Sequence, residues 1–83
     1  MKLLYFAWVR QKIGCSEEDI AAPSTVTTVT ALVEFLRKRG AGYEAAFRDV
    51  KFLRVAVNQE HAGFDARIGP NDEIAFFPPV TGG

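Results

Sequence analysis

The chain has one cysteine, one histidine, no excess of charge of either sign and no long apolar run. With no second cysteine for Cys15, an intrachain disulfide is excluded, which fits a reducing compartment. One cysteine and one histidine supply too few ligands for a zinc site. Ten basic residues balance ten acidic ones, so there is no cationic surplus to neutralise phosphates, and nucleic acid is not an expected partner. The longest apolar run, Leu3 to Val9, falls far short of the ~20 residues of a membrane span. Only Lys2 precedes it and no small-residue cleavage site follows, so neither a signal peptide nor a membrane partner is expected. The expected location is cytoplasmic.

Catalytic and cofactor signatures are equally scarce. There is no G-x-x-x-x-G-K-[ST] loop, so the chain has no means of its own to hold ATP phosphates. No cation lies beside Cys15 in sequence to activate its thiol, so it reads as a small filler or a bystander. His61 reads as an edge or turn residue. The run Glu17-Glu18-Asp19 reads as a solvated edge, because consecutive acids cannot share one face of a strand. No self-contained active site, bound cofactor or metal is therefore expected of the folded body.

What remains is a pattern of short elements. Eighty-three residues make one domain with one core. Lys2 to Val9 reads as a strand, Arg10 to Gly14 as a short helical turn, and Ser16 to Ala22 as a polar second strand. Val29, Leu32, Val33 and Leu36 share one helical stripe. Thr28 is placed to cap that helix, and Arg37-Lys38-Arg39-Gly40 to end it. Residues 41 to 50 read as a connector, with a helical turn around Glu44 to Phe47. Phe52 to Val57, His61 to Phe64 and Glu73 to Phe77 are strands, separated by turns at Asn58-Gln59 and Ile68 to Asp72. The order predicts a two-layer α+β domain: a mixed sheet of about five strands with one main helix on one face.

One helix covers one face of such a sheet. Yet Leu4, Phe6 and Trp8 alternate with Leu3, Tyr5, Ala7 and Val9, and Phe76 and Phe77 point opposite ways. Either the 41–50 connector covers the second face or large apolar side chains stay outside the core as a protein-binding patch.

The chain ends in Gly82-Gly83. Lacking Cβ atoms, these residues fit a channel too narrow for any side chain, and the reactive group at the tip is a carboxylate. Pro78-Pro79 removes two N–H donors and should end the last strand. Residues 1–79 are expected to form the domain and residues 80–83 a flexible tail, which reaches roughly 13 Å when extended.

The run Asn71-Asp-Glu-Ile-Ala-Phe-Phe-Pro-Pro-Val-Thr-Gly-Gly83 resembles the small subunits of molybdopterin synthase, sulfur carriers of the ubiquitin-like β-grasp fold. Leu4-Tyr-Phe-Ala-x-Val-Arg10 and Val55-Ala-Val-Asn58 match as well. Asn71 stands where that family often has glycine. The resemblance implies that an adenylyltransferase related to ubiquitin-activating enzymes uses ATP and Mg²⁺ to convert the Gly83 carboxylate to an acyl adenylate. Sulfide from a persulfide donor then yields a thiocarboxylate. It implies further that the tail enters the large subunit of the synthase, in a heterotetramer, and gives sulfur to cyclic pyranopterin monophosphate. Gly82 and Gly83 are then the reacting end. Phe6, Phe77, Val80, Thr81, Arg10 and His61 become the candidate contacts with the partner. Rival readings are a thiamine-type sulfur carrier, which typically lacks the Phe-Phe-Pro-Pro approach, a ubiquitin-like protein modifier, and an interaction module with an inert tail.

Overall fold

A computed structural model describes residues 1–79 of the chain. The first strand, β1, runs Lys2–Tyr5, with Leu3 and Tyr5 buried and Lys2 exposed. It stops well before Val9. Ala7 takes a left-handed φ of 53° and opens the helix α1, Ala7–Ile13. The cause lies in the neighbouring strand. In the parallel register Leu3 lies beside Ile74 and Tyr5 beside Phe76, so a longer β1 would run alongside Pro78 and Pro79, which have no N–H to offer a ladder. Phe6 N–H makes the last bond to the sheet, to the Phe76 carbonyl at 3.1 Å. Val9 then turns inward from a helix instead of a strand. Gly14, at φ 98°, ends α1 as expected of a left-handed cap.

The second strand, β2 (Glu17–Asp19), is shorter than the Ser16 to Ala22 expectation and pairs antiparallel with β1. Met1 and Ile20 exchange the final backbone bonds, at 2.9 and 3.1 Å.

The helix α2 spans Val29–Arg37, and all four stripe residues are buried. Thr28 caps it, its hydroxyl oxygen accepting the Ala31 N–H at 3.2 Å. It ends at Lys38 without help from Gly40, which instead precedes a further helix, α3, Ala41–Phe47. The 41–50 stretch is thus largely helical. A Cβ on Gly42 would strike the Lys12 carbonyl oxygen, so glycine is what lets α3 lie close against the end of α1. Tyr43, Ala46 and Phe47 carry the helical spacing, and Phe47 meets Phe76 edge-on at 4.9 Å. After a 3₁₀ turn at Val50–Phe52 come β3 (Arg54–Val57) and β4 (Glu60–Ala62). Asn58 and Gln59 join them, both at positive φ (52° and 71°), as a two-residue hairpin turn requires. The last strand, β5, is Glu73–Phe77, as the sequence predicts.

The sheet order is β2-β1-β5-β3-β4, with β5 parallel to β1 and antiparallel to β3. The helices α1, α2 and α3 bury side chains in one core, against the face of the sheet that carries Leu3, Tyr5, Ile74 and Phe76. The core between the layers includes Leu3, Tyr5, Leu32, Leu36, Phe47, Leu53, Val55, Ile74 and Phe76.

Glu18 does not behave as part of a solvated acidic run. Its carboxylate accepts hydrogen bonds from the Tyr5 and Tyr43 hydroxyls, both at 2.7 Å, and from the Arg39 guanidinium at 3.0 Å. Burial alone would raise its pKa, but the bonds from Tyr43, Tyr5 and Arg39 outweigh that and hold it below the usual carboxylate range. Burial and the Glu18 contact push Tyr43 up to about 12. Arg37 forms a two-pronged bond to Glu44, at 2.8 and 3.1 Å. Arg37 at the end of α2 and Arg39 just past it therefore tie elements of the domain together.

Candidate functional site: an open sheet face beside the chain exit

Alternation along β5 sends Ile74 and Phe76 into the core and leaves Ala75 and Phe77 on the opposite face. Across that face the register sets Leu4, Ala75, Ala56 and His61 in one row. None of the described residues lays a helix over it, because α3 covers the same face as α2. The small side chains of Ala56 and Ala75 leave room for the His61 and Phe77 rings to meet edge-to-face at 5.4 Å. Phe6 follows Tyr5 at the end of β1, next to the Phe77 level of β5, and is 47% exposed. Charged groups border the far end of the face, where Lys2 pairs with Glu17 at 3.5 Å.

The structure thus brings together three of the candidate contacts, Phe6, Phe77 and His61, at the end of the sheet where β5 leaves it. Arg10 is exposed on α1, in the helical layer. Val80, Thr81, Gly82 and Gly83 lie outside the described residues, as does the proposed 80–83 tail. An apolar, aromatic surface of this kind loses little by leaving water and is suited to burial against another protein. Among the described residues no group of three or more His, Cys, Asp or Glu side chains is placed to hold a metal. No helix among them is long and apolar enough to cross a membrane.

Two features of this end escaped the sequence. Phe52 is 55% exposed on the 3₁₀ turn, where the first residue of a strand was expected. Trp8 is brought round to the helical side by the turn at Ala7. The flanking Lys51 and Arg54 were the available signal that Phe52 sits at a surface.

Residues 3–83 match the ThiS family. The chain belongs to that family. Among ThiS-family relatives it is similar to the molybdopterin synthase sulfur carrier subunit of Escherichia coli (strain K12). The two are 41% identical over 83 residues, covering 100% of this chain and 99% of that one. The Haemophilus influenzae protein of the same name is 37% identical, with the same coverage. Among solved structures, the putative molybdopterin converting factor subunit 1 from Pyrococcus furiosus superposes with a TM-score of 0.76 at 32% identity, covering 95% of each chain. The mixed five-stranded sheet grasping its helices is the ubiquitin-like β-grasp fold.

Proposed function

We propose that this chain is the sulfur carrier subunit of a molybdopterin synthase, working through the carboxylate of Gly83. The observation that carries the proposal is end-to-end similarity to a sulfur carrier subunit, at 41% identity, in a chain whose last residues are Gly82-Gly83. The open face at Phe6, Phe77 and His61 supports it, since a carrier must be gripped by proteins that act on its end.

An ionised carboxylate is a poor electrophile. In the proposed cycle its oxygen therefore attacks the α-phosphate of ATP on a separate adenylyltransferase, releasing pyrophosphate and leaving an acyl adenylate. Sulfide supplied from a persulfide donor attacks the acyl carbon, AMP departs, and a thiocarboxylate remains. Its anionic sulfur is the nucleophilic form, as with a thiolate. In the large subunit that sulfur is transferred to cyclic pyranopterin monophosphate, and hydrolysis restores the Gly83 carboxylate. Gly82 and Gly83 would let the reacting carbon enter a narrow channel. Val80 and Thr81 would pack at its mouth, while Phe6 and Phe77 hold the globule against the large subunit.

The test is to delete Gly83, or to append one residue after it, and assay molybdopterin formation with purified large subunit. Loss of product with retained complex formation is expected. Undiminished product from either variant would refute the mechanism.

A further inference from the structure

On the helical side of the exit, opposite the open sheet face, lies a groove of about 500 Å³. Its walls are Trp8, Phe52 and Pro79, and its floor is Ala45 and Ala46 of α3. The alanines keep the floor low. Gly42 draws α1 onto α3, which sets Lys12 at the rim, with Arg48 and Asp49 opposite. The volume is within the ~300–1,000 Å³ of cavities that seat a ligand-sized group. Phe52 contributes a ring that is 55% exposed, and Val50 beside it is 41% exposed.

The rim carries more positive than negative charge although the chain as a whole is neutral. Lys12 and Arg48 are exposed, and the Lys51 ammonium stands 5.3 Å from the centre of the Phe52 ring. Of the nearby carboxylates, Glu44 is taken up by Arg37, and Asp49 offsets one of the three cations. Asp49 faces Lys51 at 4.0 Å, and Glu44 is held by Arg37 at 2.8 Å, with Arg48 only at 3.9 Å. Pro79, the last described residue, is itself a wall of the groove. The segment that leads to Gly83 therefore starts from the edge of this groove.

We propose that this groove docks an acidic segment of the tail-receiving protein, which seats one large apolar side chain between Trp8 and Phe52 while its carboxylates face Lys12 and Arg48. The inference rests on the reading that a large subunit receives the Gly83 end, and adds a second grip to the sheet face. Apolar contact supplies the hold. The cations supply steering and register, and their share is screened by salt.

The experiment measures the affinity of the full chain for the purified large subunit of the same organism's molybdopterin synthase across a salt series. The chains compared are wild type, Lys12→Glu/Arg48→Glu, Phe52→Ser and Phe77→Ser. The charge reversal is expected to weaken binding roughly tenfold at low salt, with the difference vanishing near ~1 M, where the screening length is about 3 Å. Phe52→Ser is expected to weaken binding at every salt concentration. Because Trp8 is the single tryptophan, fluorotryptophan at that position gives one ¹⁹F resonance, which should shift on complex formation. If both groove variants bind like wild type and the resonance stays put while Phe77→Ser loses binding, the groove proposal is overturned and the sulfur-carrier reading stands. If wild type fails to bind at all, the sulfur-carrier reading falls and the proposal with it. A weakened Phe52→Ser beside an unaffected charge reversal overturns the acidic character of the docked segment.

Discussion

Replacing Glu18 by alanine removes the one acceptor shared by Tyr5, Tyr43 and Arg39. Tyr5 is 1% exposed, so its hydroxyl would be left inside the domain without its partner, a loss of about 1–3 kcal/mol. A tyrosine bond to an ionised acceptor is worth about 1.5–3 kcal/mol, but Tyr43 can turn part of its hydroxyl to water and recover some of that. The Arg39 side chain is 34% exposed, and its ion pair adds at most ~1 kcal/mol. Because the three bonds share one carboxylate they do not add, and a net loss of about 3 kcal/mol is expected. For a domain of this size that is a fall of ~12–24 °C in Tm. The assay is thermal unfolding followed by circular dichroism from pH 7 down to pH 3. The folded-state pKa of Glu18 is lowered from an ordinary value of 4.5. Its contribution is therefore complete above that value and lost as the pH falls through the folded pKa. Wild type and variant should converge in acid. A loss of less than ~4 °C at neutral pH, or a gap that persists unchanged at pH 3, would refute the reasoning.

Gly42→Ala should cost about 1–3 kcal/mol by forcing α3 away from the Lys12 carbonyl; an unchanged urea midpoint would show that the two helices separate freely. Phe77→Arg should weaken the large-subunit complex by about 2 kcal/mol, or ~30-fold, with little change in Tm because the side chain lies outside the core. Titration calorimetry giving the wild-type affinity would remove Phe77 from the interface. Phe76→Ala, one residue away and on the opposite face, should instead cost about 3–5 kcal/mol of folding stability. A denaturation curve within ~1 kcal/mol of wild type would mean that the inward and outward assignment of β5 is wrong.

The elements legible in the sequence are those whose signal is local. The α2 helix declares itself through the 29-32-33-36 stripe and the Thr28 cap, β5 through its proline stop, and the β3–β4 turn through Asn58-Gln59. What was not legible depends on neighbours in space. Trp8 and Val9 have strand-forming side chains, but the ladder they would have joined is closed by Pro78 and Pro79, and the chain bends into α1 instead. Gly40 and Gly42 look like loop residues, yet one stands at the start of a helix and the other is the point of contact between two. Glu18 belongs to an acidic run, and only the approach of Tyr5 and Tyr43 from β1 and α3 marks it as the acid that turns inward.

The candidate site divides in the same way. Alternation gave Phe76 and Phe77 opposite faces without saying which turns outward, and one helix for two faces left open whether the 41–50 segment covers the second or an apolar patch stays exposed. That His61 meets Phe77 depends on Ala56 and Ala75 being small at positions that only the register brings into one row. The groove at Trp8 and Phe52 was invisible because both residues read as strand.

The central claim concerns the chemistry of the last residue. Intact-mass spectrometry of the protein isolated from cells actively making molybdenum cofactor tests it most directly. A population heavier by one sulfur-for-oxygen exchange, with the added mass localised to Gly83 by fragmentation, is the predicted result. A Gly83 that carries only oxygen in every such preparation, including one in which the large subunit has been removed so that charged carrier accumulates, would contradict it.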